Sequence, residues 1–80
     1  MELKPIVTEK AVMMIESKNT ITFETSKEIS KDEIKNEIER LFGVKIDNIK
    51  TLIRGNKKRT YIKLKKAYPA IDIANKLGII

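Results

Sequence analysis

Ile49-Lys50-Thr51-Leu52-Ile53-Arg54-Gly55-Asn56-Lys57-Lys58-Arg59-Thr60-Tyr61-Ile62-Lys63-Leu64, residues 49–64, is the stretch that decides the fold. Two runs rich in β-branched and aromatic residues flank Arg54-Gly55-Asn56-Lys57. Gly and Asn at the centre of so short a connection are the residues of a hairpin turn. Residues 58–65 return as a strand with Ile62 and Leu64 facing inward. Strand side chains alternate, so Arg59, Tyr61, Lys63 and Lys65 face the other way. Upstream, the extended run reaches from Val44 to Arg54, but its parity slips near Asp47-Asn48. Val44 and Ile46 are even, whereas Ile49, Thr51 and Ile53 are odd. One extra residue in that strand, a bulge, reconciles the two.

Helix signals lie on both sides of the hairpin. Ser30 and Glu33 make a capping box, with Ile29 and Ile34 at the spacing of a hydrophobic staple. Ile34, Ile38, Leu41 and Phe42 then recur at i, i+4, i+7 and i+8, and Gly43 supplies the stop. The other face of this helix carries Lys31, Lys35, Glu39 and Arg40. Nearer the start, Thr8 suits a helix N-cap, Glu9 complements the dipole of the first turn, and Val7 and Val12 stand at staple spacing. Ala11, Met14 and Ile15 form one apolar stripe, which predicts a helix over about residues 9–17. Asn19 marks a turn. Thr20 to Glu24 alternates with period two, a strand with Ile21 and Phe23 inward. Pro5-Ile6-Val7 is short, apolar and extended. At the far end Pro69 begins a last helix with Ala70, Ile73, Ala74 and Leu77 on one face and Gly78 ending it.

The predicted order is strand, helix, strand, helix, strand, strand, helix: an α+β fold with a small, mostly antiparallel four-stranded sheet and helices packed on it. No repeat, low-complexity tract or linker interrupts the 80 residues, so residues 1–80 read as a single domain. A chain of this size buries only about 60% of its unfolded surface, and a bound partner would add to its stability.

Charge is unevenly placed. The net charge is +6 and the sequence pI about 9.7, a balance that favours polyanionic partners. Residues 1–44 hold nine acids and seven bases, whereas residues 45–80 hold two acids and ten bases. Nine of those ten bases fall between Lys45 and Lys66, on the hairpin and its exit. Arg59, Lys63 and Lys65 share a parity with Tyr61. The cations suit phosphates; the tyrosine suits either stacking on an unpaired base or a hydroxyl contact to the backbone. A solvated hairpin whose lysines guard a free edge is the plainer reading. Mixed charge signs would serve that purpose equally well, and here acids are nearly absent.

Other functions fit less well. The chain has no cysteine and no histidine, which removes disulfides, thiolate metal sites and the commonest general base. Its acids fall mainly at helix caps and on helix faces, and nothing suggests a metal site or a cofactor. Gly43, Gly55 and Gly78 stand at turns or helix ends and form no phosphate loop. Acylphosphatases are small basic α+β enzymes that use an arginine and an asparagine. Arg54 and Asn48 are available, but the glycine-containing loop between a first strand and a first helix is missing. No apolar run approaches the ~18 residues of a membrane span, and the basic segment holds neither Phe nor Trp, so neither insertion in nor surface attachment to a membrane is expected. The start, Met1 to Pro5, lacks a signal pattern, and the expected location is the cytoplasm.

Several stretches together resemble a known family. They are Pro5-x-x-Thr8-Glu9-Lys10-Ala11, Glu16-x-x-Asn19-Thr20, Lys35 through Phe42-x-Val44, Thr51-Leu52-Ile53-Arg54, and Lys58-Arg59-Thr60-Tyr61-Ile62-Lys63-Leu64. In order and spacing they are similar to ribosomal protein L-twenty-three of the large subunit. The ending, Asp72 to Ile80, resembles its archaeal and eukaryotic members. The resemblance implies a four-stranded antiparallel sheet, binding to large-subunit rRNA near the polypeptide exit tunnel, and one copy per ribosome. It also implies the ribosomal protein L-twenty-nine as a neighbour and docking of factors that meet the nascent chain, notably the signal recognition particle. The docking glutamate of bacterial members falls on Glu16. Bacterial members carry a long basic hairpin tip where Arg54-Gly55-Asn56-Lys57 is a tight turn, and Lys50 and Arg59 stand where the family usually has Asn and Lys. On charge and resemblance together, Arg54, Lys57, Lys58, Arg59, Lys63, Lys65 and Lys66 are expected to meet rRNA phosphates, with Lys10 and Tyr61 as lesser contacts. A free-standing RNA-binding accessory protein using the same ribbon is the alternative.

Overall fold

The computed structural model describes residues 3–80. In chain order its elements are β1 (Lys4–Pro5), α1 (Glu9–Lys18), β2 (Thr20–Ser26), α2 (Lys31–Phe42), β3 (Ile46–Arg54), β4 (Lys57–Leu64) and α3 (Ala70–Leu77). This is the predicted order. All pairings are antiparallel and the strands run β1-β2-β4-β3 across the sheet, so β4 is central and β3 forms one edge. β2 extends past the predicted Glu24, because Thr25 and Ser26 continue its ladder opposite Lys58 and Lys57.

The hairpin closes with Arg54 opposite Lys57, leaving a two-residue loop. Gly55 takes φ 60° at the first loop position while Asn56 stays at negative φ, the pattern of a type II′ turn, whose twist matches that of the strands. At the other end of β3, Ile46 pairs with Leu64 but Asn48 pairs with Lys63, so Asp47 is the surplus residue of the predicted bulge. The bulge has a directional consequence. It turns Ile49 inward against Ile62 and sends Asn48, Lys50, Leu52 and Arg54 to the opposite face.

One core joins the helices to the inner sheet face. Ile21 and Phe23 of β2 and Ile62 and Leu64 of β4 pack with Ile34 and Ile38 of α2, Ile73 and Ala74 of α3, and Ile15 of α1. The helix ends are capped as expected: Thr8 accepts from the Ala11 N–H, Ser30 and Glu33 satisfy each other's backbone, and Gly43 and Gly78 close α2 and α3 in the left-handed region. Three apolar expectations are corrected. Leu41 is 52% exposed. It stands about 60° around the helix from the centre of the Ile34, Ile38, Phe42 stripe, at 100° per residue. Ile53 has the inward parity yet is 58% exposed, near the tip of the edge strand. Val7 is also 58% exposed, so the staple expected with Val12 contributes little burial.

Beyond Lys58 near the hairpin, the inner face of β4 carries one polar residue among the apolar ones. Thr60 is fully buried opposite Phe23 and Thr51, and its hydroxyl has no hydrogen-bond partner. A buried hydroxyl without a partner costs about 1–3 kcal/mol. Thr60→Val keeps the branched shape and removes the stranded group. Thermal unfolding followed by circular dichroism is expected to show a gain of about 1 kcal/mol, raising Tm by roughly 4–8 °C in a domain of this size. An unchanged or lowered Tm would mean that the hydroxyl is satisfied in solution.

Candidate nucleic-acid interface

The face of the sheet turned away from the core carries the charge. Register assigns its rows: Thr20, Lys63 and Asn48; Thr22, Tyr61 and Lys50; Lys4, Glu24, Arg59 and Leu52; Ser26, Lys57 and Arg54. Six cations thus share this face, and Glu24 is the one carboxylate among its paired positions. Lys4, Lys50, Arg54, Lys57 and Lys63 are exposed, while Arg59 and Tyr61 are half-buried. Glu24 lies opposite both Lys4 and Arg59 but forms no ion pair with either; among the described residues the one ion pair is Glu37 with Arg40, on α2. The cations of this face therefore meet water, not carboxylates.

The expected contacts divide into groups. Arg54, Lys57, Arg59 and Lys63 lie on this face with Tyr61. Lys65 and Lys66 follow the end of β4 and are exposed. Lys66 and Lys10 are brought together by a wide groove between α1 and the outer sheet face, which Tyr61, Lys63 and Lys50 also line. Glu16 stands on the helical wall of the same groove. Lys58 is set apart. Its parity is that of Ile62, and its Nζ donates to the Ile29 carbonyl at 2.5 Å. Nearby Glu28 accepts from the Ser26 hydroxyl, a bond that, with the Lys58 charge a minor contributor, holds its carboxyl below the usual range. Lys58 thus already has a role in joining the hairpin to the loop before α2.

Lys4, Lys50 and Met13 were not picked out. Lys50 was legible, because the parity slip at Asp47 already places it outward. Lys4 depends on the register of a two-residue strand, and Met13 on how α1 packs. Among the described residues there is no cluster of three or more carboxylates able to hold a metal ion, and no helix is long and apolar enough to cross a membrane.

The family model described as Ribosomal protein L23 matches residues 1–74. The chain is also 43% identical, over 77 residues, to the large ribosomal subunit protein uL23 of Trypanosoma brucei brucei. The chain belongs to the ribosomal protein L23 family. The aligned segment takes in 95% of this chain and 47% of that relative, so the chain spans about half of the relative's length. The family is one of structural constituents, not enzymes.

Proposed function

We propose that this protein is a structural constituent of the large ribosomal subunit, located in the cytoplasm, that binds large-subunit rRNA through the outer sheet face and hairpin near the polypeptide exit tunnel. The observation that carries this is the row pattern of that face: five cations on the paired strands β3 and β4 up to the hairpin tip and a sixth, Lys4, on β1, against one glutamate. Arg54, Lys57, Arg59 and Lys63 meet phosphates, joined by Lys66 and Lys10 at the groove, by Lys65 after the end of β4, and by Lys4 and Lys50. Lys58 contributes from the other side of the hairpin. Family membership supports the rest of the reading. Residues 1–80 act as one domain, present in one copy per ribosome, beside the ribosomal protein L-twenty-nine. Exposed Glu16 belongs to a docking surface for the signal recognition particle.

Fractionation of cell extract on a sucrose gradient tests this against a free-standing RNA-binding protein. The chain is expected to remain with large subunits through a moderate salt wash. Its recovery mainly in the light fractions would favour the accessory role instead.

A further inference from the structure

The groove between α1 and the outer sheet face has two unlike walls. The sheet wall presents Tyr61 with Lys50 directly across the strand pair, Lys63 two residues along and Lys66 beyond the strand end. The helical wall presents Met13, which is 60% exposed and belongs to no part of the core, together with Glu9 and Glu16 and with Lys10 and Lys18. In all, five lysines and two glutamates line the groove. An aromatic ring half-sunk among cations suits a nucleotide, with the base on the ring and its phosphates on the lysines. On the helical wall Lys10 and Lys18 offset Glu9 and Glu16, so the net positive charge of the groove lies on the sheet side, with Lys50, Lys63 and Lys66. Met13 offers a soft apolar surface on the side where a stacked base would project.

The strandedness of the RNA follows from access. Paired bases in an A-form helix are enclosed, and its major groove is too narrow for side chains to read. A half-buried tyrosine lining a groove between a helix and a sheet therefore meets a base face-on only where the strand is unpaired. We propose that this groove holds an unpaired RNA segment, one base stacked on Tyr61 and packed against Met13, with its phosphates on Lys50, Lys63 and Lys66. The proposal rests on the RNA-binding reading above and gives it a single-stranded subsite.

The test uses the 80-residue chain with two RNAs: a single-stranded octamer carrying 2-aminopurine, and a 16-base-pair duplex. Binding is expected to quench the 2-aminopurine emission. Tyr61→Phe keeps the stacking surface and should hold the ratio of single-strand to duplex affinity within about twofold, whereas Tyr61→Ile, a strand-compatible residue, should lower that ratio by roughly 5- to 100-fold. Met13→Glu, at a position too exposed to endanger folding, should lower it by about fivefold or more by placing a negative charge on the helical wall. This second variant decides the matter if Tyr61→Ile fails to fold. An unquenched probe, or a ratio unchanged in the variants, would overturn the subsite while leaving duplex binding intact. Equal losses in Tyr61→Phe and Tyr61→Ile would likewise overturn stacking in favour of a hydroxyl contact. Failure of the unaltered chain to bind either RNA would overturn the RNA reading itself, and capture of a peptide by this groove in place of the octamer would do the same for the subsite.

Discussion

Replacement of Asn19 by alanine is expected to remove about 3 kcal/mol of stability, of the roughly 4–12 kcal/mol that a domain of 80 residues has in total. The reason is the number of backbone groups that one side chain serves. The Asn19 amide donates to the carbonyls of Leu64 and Tyr68, each at 3.1 Å, with Lys65 at 3.4 Å sharing the same donors, and its Oδ1 accepts from the Ala70 N–H at 2.6 Å. Its backbone adds two more links, to the carbonyl of Met14 and from the N–H of Leu64. The end of α1, the end of β4 and the start of α3 are thus tied at one residue. α3 has no side-chain cap of its own, so the bond to Ala70 supplies it from a distance. Each hydrogen bond contributes a net ~0.5–1.5 kcal/mol, and stranding a buried partner costs more. Asn19 also sits at φ 50°, in the left-handed region that alanine resists and asparagine tolerates.

A second substitution separates these causes. Asn19→Gly accepts the left-handed backbone without strain but restores none of the side-chain bonds. Thermal unfolding should rank the native chain first, Asn19→Gly next and Asn19→Ala last, with glycine recovering only about 1 kcal/mol of the loss. A glycine variant as stable as the native chain would show that backbone conformation alone matters at this position. Since Asn19 lines the groove and sets where α1 ends against the sheet, destabilised variants should also lose the preference for unpaired RNA.

Local chemistry made most of this fold readable. The hairpin, the bulge at Asp47 and the capping box of α2 each depend on residues within a few positions of one another, and all three stand where the pattern put them. Leu41 and Ile53 show the limit. Periodicity tells which way a side chain points, not whether a neighbour reaches that far; α2 buries a narrower stripe than the sequence offers, and the tip of β3 runs beyond the helices' cover. The role of Asn19 was hidden for a related reason, because its side-chain partners lie 45 to 51 residues away. The candidate site divides in the same way. Alternation along β4 found Arg59, Tyr61 and Lys63, but the groove that brings Lys10 to Lys66 arises only when α1 packs beside the sheet.

The largest expected effect on binding comes from removing Lys57, Arg59 and Lys63 together. All three are on the outer face of β4, where serine is tolerated by an exposed or half-buried strand position. With about five phosphates neutralised, log affinity for a large-subunit rRNA fragment should fall with log salt at a slope of about −4.5, each contact contributing about −0.9 on the scale of duplex DNA. Deleting three contacts should flatten the slope by nearly three units and weaken binding by about 500-fold at 0.1 M salt. Net charge alone predicts part of this, so the comparison needs a variant with the same loss of charge elsewhere. Lys31, Lys35 and Lys76 are exposed on α2 and α3, on the helical side of the molecule. Their replacement by serine acts only through the screened long-range field, whose reach is about 10 Å at 0.1 M salt, and should change affinity by no more than a few fold. If the two triple variants lost affinity equally, the protein would be binding RNA as a diffuse cation, and the arrangement of charge on the sheet would have no part in it.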